Sequence, residues 1–67
     1  MKAPISGLIV ELKAVVGDMV AAGQTVAIIE AMKMENNINS PVDGKVMEVR
    51  VAKGAAVADG EVIMVIG

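Results

Sequence analysis

The chain has 67 residues, 55% of them hydrophobic and none aromatic, cysteine or histidine, with a formal net charge of −2. A chain this short forms one small core that buries only ~60% of its unfolded surface, and an acidic balance without a stacking platform disfavours a nucleic-acid partner. Without Cys or His there are no disulfides, no thiolate or imidazole metal sites and no Ser-His or Cys-His catalytic pair, so the chain reads as something acted upon by enzymes, with no catalytic group of its own.

In chain order, Met1-Lys2-Ala3-Pro4 lacks an apolar signal core and a small-residue cleavage pattern, and the expectation is a cytoplasmic protein. Leu8 to Lys13 alternates, with Leu8, Val10 and Leu12 on one side and Ile9, Glu11 and Lys13 on the other, which is strand periodicity. Gly17-Asp18 and Ala22-Gly23-Gln24 bracket a short segment around Val20. Val26 to Asn36 is rich in Ala, Met, Glu and Lys, and intrinsic propensity alone predicts a helix there. Further on, Lys45 to Val51 alternates again, with Met47, Val49 and Val51 expected inward and Glu48 and Arg50 toward water. Gly54 and Asp59-Gly60 bracket Val57. The longest apolar runs, Val26 to Ile29 and Val62 to Ile66, fall far short of the ~20 residues of a membrane helix.

An internal repeat organises these pieces. Sliding the chain by 37 positions aligns Ala3 to Glu30 with Ser40 to Gly67 without a gap. Pro4 meets Pro41, Gly7 meets Gly44, Glu11 meets Glu48, Gly17 meets Gly54, Val20 meets Val57 and Gly23 meets Gly60. Ile5 with Val42, Lys13 with Arg50 and Ile29 with Ile66 are conservative pairs. Because Val26 to Ile29 aligns with the β-branched run Ile63 to Ile66, the repeat overrides propensity and predicts strand over the Ala- and Met-rich segment. Each half then reads as four short strands. The fold expected is all-β: a flattened barrel of two four-stranded antiparallel sheets related by a pseudo-twofold, spanning residues 1–67 as one domain. Gly7, Gly17, Gly44 and Gly54 are expected at turns or bulges in symmetry-related pairs.

Only Ala31 to Asn39 lies outside both copies, and it holds the most informative string, Glu30-Ala31-Met32-Lys33-Met34. A hairpin through Met32-Lys33 would lack the Gly or Asn that tight turns favour, which predicts backbone strain at these two residues. A lysine at such a bend is a long, flexible, single-amine arm held clear of the surface, suited to a tether; an ordinary solvated lysine is the plainer alternative. The string resembles the biotinylation motif of biotinyl domains, the biotin carboxyl carriers. Ala3-Pro4-Ile5-Ser6-Gly7, Val16-Gly17-Asp18-Met19-Val20, Gly23-Gln24-Thr25-Val26 and Pro41-Val42-Asp43-Gly44 are similar to that family's other recurring blocks, in order.

The resemblance implies a barrel-sandwich hybrid fold, covalent biotin on Lys33, and Glu30, Ala31, Met32 and Met34 as the flank read with it. It also implies biotin protein ligase as a partner, together with biotin carboxylase and carboxyltransferase or decarboxylase sites between which the carrier moves; the isolated domain is expected as a monomer. The stretch from Lys13 to Gly17 is too short for the protruding thumb of some family members, so the thumbless branch fits. Three rivals carry different signatures. A lipoyl carrier presents an acidic residue directly before the lysine and Ala after it, where this chain has Met on both sides; a purely structural barrel-sandwich module needs no lysine at the tip. An enzyme needs paired carboxylates, His or Cys in a pocket.

Overall fold

The computed structural model describes residues 1–67, all of them in strands, turns and loops without a helix. The strands are β1 (Gly7–Leu12), β2 (Met19–Val20), β3 (Thr25–Ala31), β4 (Met34–Asn39), β5 (Gly44–Val49), β6 (Ala56–Val57) and β7 (Met64–Ile66). They form two antiparallel sheets ordered β4-β3-β1-β6 and β2-β5-β7. The expected all-β fold with two antiparallel sheets is therefore present, and the strand reading of the Ala- and Met-rich segment holds, because Thr25–Ala31 pairs on both sides within its sheet.

One sheet carries four strands as expected, the other three. The eighth position is a single bridge between Lys2 and Val62. Subtracting the repeat offset shows what that bridge is: Lys2 and Val62 correspond to Asn39 and Thr25, the pair that closes the β3–β4 ladder.

Hydrogen bonds between the halves reveal the symmetry directly. Gly17 N–H donates to Val46 O at 2.9 Å, and the related Gly54 N–H donates to Ile9 O at 2.6 Å. Ile9 N–H to Ala55 O and Val46 N–H to Asp18 O form a second reciprocal pair, each 2.8 Å. When residue i of one half meets j of the other and their equivalents meet with roles exchanged, the relation is isologous, which is the mark of a twofold axis. The core obeys the same axis, with Ile9 and Val46, Val20 and Val57, Val26 and Ile63, and Ala27 and Met64 all buried in one cluster.

Two local expectations fail for identifiable reasons. Strict alternation puts Met47 inside, yet it is 58% exposed while its neighbour Val46 is fully buried. A β-bulge between Val46 and Glu48, matched by one between Ile9 and Glu11, adds a residue and reverses the phase of the pleat, so Ile9 and Val46 face the core and the glutamates still face water. The glycines also divide. Gly17 and Gly54 sit in turns with φ of 97° and 89°, whereas Gly7 and Gly44 begin strands. At Gly44 a Cβ would lie 2.8 Å from Gly67 O and 2.9 Å from Ile66 Cγ2, and at Gly7 it would meet the equivalent Glu30 O and Ile29 Cγ2. What these two positions require is the absence of a side chain where backbones cross.

Candidate functional site

The β3–β4 hairpin brings the five residues of the central string together. Ala31 and Met34 are the last cross-strand pair, leaving Met32 and Lys33 as a two-residue loop. Their φ values are 53° and 66°, the only positive values at non-glycine residues in the chain, as a type I′ turn requires of both central positions. The strain expected at these residues is present.

Register explains why the turn falls on such unsuitable residues. Ile38 is 5% exposed and pairs with Ala27, and a slip of one residue would turn Ile38 out of the core and an asparagine in. Burial of Ile38 at one end of the ladder thus fixes the turn at the other. Asn36 and Asn37, which suit a tight turn better, lie inside β4.

The tip is open to solvent. Lys33 is exposed, Met32 is 95% exposed and Met34 66% exposed. No hydrogen bond or ion pair engages the Lys33 ammonium. Glu30 is exposed and pairs across the ladder with Glu35, so one face of the hairpin carries two carboxylates opposite each other, an unfavourable arrangement for strand pairing. Ala31 is half-buried on the opposite face, beside Met34 and Asn36.

That second face borders a groove of about 470 Å³, lined by Ile5, Ser6, Ala31, Met32, Met34, Asn36 and Asp59. Ile5, Ser6 and Asp59 are distant in sequence from the lysine string, and sequence reasoning singled out neither these three nor Asn36 as part of the site. A signal was available in the repeat: Ser6 and Asp59 stand where the other copy has Asp43 and Ala22.

The family described as biotin-requiring enzyme matches residues 1–66. The chain belongs to that family. Among its relatives, the 2-oxoglutarate carboxylase large subunit of Hydrogenobacter thermophilus is 55% identical over 38 residues, and a pyruvate carboxylase subunit of Methanothermobacter thermautotrophicus 51% over 37. These matches cover 57% and 55% of the chain but only 6% of either relative. Its structure superposes on the urea carboxylase of Kluyveromyces lactis with a TM-score of 0.92 at 36% identity, over the whole chain and 6% of that protein. A single-chain, multi-domain long-chain acyl-CoA carboxylase gives 0.90 at 30% identity, over 96% of this chain and 6% of that one. The chain therefore spans a small fraction of the carboxylases it resembles.

Proposed function

We propose that residues 1–67 form a biotin carboxyl carrier domain and that Lys33 is its attachment point. The observation that carries this reading is the position of Lys33: exposed, unpaired, and held in the left-handed region at the tip of a hairpin, in a chain of the biotin-requiring family. Strain at a turn persists only where surrounding structure enforces it and is concentrated at functional positions.

The residues suit biotin. An amide at Lys33 needs an approachable amine, and no neighbour competes for it. Biotin protein ligase is the proposed partner for attachment: once deprotonated, the Lys33 Nζ attacks the carboxyl carbon of biotinyl-adenylate, an amide forms, AMP leaves and the nitrogen sheds its remaining excess proton. Bound there, biotin supplies a ureido nitrogen able to carry a carboxyl group.

The chain's own contribution is positioning. Its strands hold the hairpin while the lysine methylenes swing, so biotin carboxylase and carboxyltransferase or decarboxylase sites meet the group at a high effective concentration. Met32 and Met34 present adaptable thioether surface to those partners, and Glu30 and Ala31 complete the flank. Once biotin is attached, no acid, base or nucleophile of the domain enters the carboxyl transfer, so we assign it as a carrier part of a biotin-dependent carboxylase, decarboxylase or transcarboxylase.

Incubation with biotin, ATP and a biotin protein ligase, followed by intact mass and peptide mapping, tests the assignment. One biotinyl adduct on Lys33 is expected, none in Lys33→Arg, and none on Lys2, Lys13, Lys45 or Lys53. An adduct that persists in Lys33→Arg refutes it.

A further inference from the structure

Of the two cavities in the fold, one lies between the symmetry-related Pro4 and Pro41 and includes neither Lys33 nor its immediate neighbours. The other adjoins the hairpin, and its chemistry is uneven. Ile5, Ala31, Met32 and Met34 give it apolar walls, while Ser6, Asn36 and Asp59 give it polar groups. Ser6 Oγ accepts the Asp59 N–H at 3.0 Å, which leaves the Ser6 proton free to donate. Asn36 Nδ2 is engaged with Met34 O at 3.4 Å, leaving Oδ1 without a partner, and the Asp59 carboxylate has no hydrogen bond at all.

The opposite end of the molecule supplies an internal control. There the role of Ser6 is taken by Asp43, whose Oδ1 accepts the Ala22 N–H at 2.7 Å, and the role of Asp59 by the methyl of Ala22. The turn is thus built equally well without an acid at the position of Asp59. Its carboxylate is surplus to folding, and it stands only at the hairpin end.

We propose that this groove is a resting site for the bicyclic head of the biotin carried on Lys33, with the thiophane ring against Met32, Met34, Ile5 and Ala31 and the ureido group toward Asp59, Asn36 and Ser6. The proposal rests on the attachment reading above. A ureido group has two N–H donors and one carbonyl acceptor, and the groove offers two unpartnered acceptors and one donor. Two lining residues are the immediate neighbours of Lys33, so the tether reaches the groove by folding back on itself. The two exposed methionines then have a packing partner. Closure is reversible, because few hydrogen bonds of modest net strength oppose the entropy of the arm, so a partner site draws the head out at small cost.

The test uses the 67-residue chain biotinylated by ligase, with the adduct first verified by intact mass. Nuclear Overhauser effects are measured between biotin ring protons and the methyl groups of Ile5, Ala31, Met32 and Met34. Cross-peaks to Ile5 and Ala31 are expected in the parent chain. They should be lost in the double variant Asn36→Ala, Asp59→Ala, whose second change reproduces the Ala22 turn and so preserves the fold. An adduct whose ring protons reach only the lysine and valeryl chain overturns the groove and leaves the attachment intact. Cross-peaks of equal strength in the double variant overturn the assigned polar recognition. Absence of any adduct overturns the attachment reading itself, and the groove with it.

Discussion

Met32 and Lys33 hold a conformation that costs an ordinary L-residue ~1–2 kcal/mol, and they hold it because the strands on either side are registered by Ile38 and Ala27. The strain can be relieved without touching the lysine. Asparagine tolerates the left-handed region, so Met32→Asn should stabilise the fold by about 0.5 kcal/mol, or roughly 2–4 °C in Tm for a chain of this size. With no aromatic residue in the chain, far-ultraviolet circular dichroism or calorimetry must read the transition. An unchanged or lower Tm would mean that Met32 contributes packing that offsets its backbone strain.

At the scale of elements, the strands exist where the apolar pattern places them, but the pattern does not reveal their phase. The repeat offset located β1 and β5, and β2 and β6, at equivalent places, and it turned a segment of helical propensity into β3. The bulges at Val10 and Met47 were illegible, since an inserted residue leaves no mark in composition. The close approach at Gly7 and Gly44 was illegible for another reason: glycine serves both turns and crossings, and only the neighbouring backbone distinguishes them. The candidate site was legible in part. The lysine string was readable because its residues are contiguous, whereas Ser6 and Asp59 reach the groove only through folding. Gly44→Ala should destabilise by about 1–3 kcal/mol, the scale of overpacking, because the added methyl meets the Gly67 carbonyl and Ile66, which lie on a paired strand and its end. Equilibrium urea unfolding measures this, and a loss below about 0.5 kcal/mol would show that the β5–β7 pair shifts apart readily.

For the whole molecule, stability depends on a core of only twelve buried apolar side chains shared by both sheets. At ~0.05–0.15 kcal/mol per residue the total is of the order of 3–10 kcal/mol. Ile63 is fully buried on the bridge side of β7, and Ile63→Ala should remove about 2–5 kcal/mol, a large share of that total. The expected result is a Tm lowered by at least 10 °C or so. A thermal scan that barely moves would mean that the second sheet can collapse around the cavity.

The twofold axis makes the hairpin and the pair of chain ends counterparts, since Glu30 corresponds to Gly67 and Ile38 to Met1. The seven residues Ala31 to Asn37 join the two copies at the hairpin pole. Copying them as a bridge from Gly67 back to Met1 would yield a seamless ring with a lysine at each pole, and biotin protein ligase is expected to load both, giving two adducts by intact mass. A ring that folds and accepts only one would locate ligase discrimination in the side chains that differ between the poles, among them Glu30, Ile5, Ser6 and Asp59. In this light the barrel is one motif written twice, with a lysine tip at the pole where the first copy turns into the second.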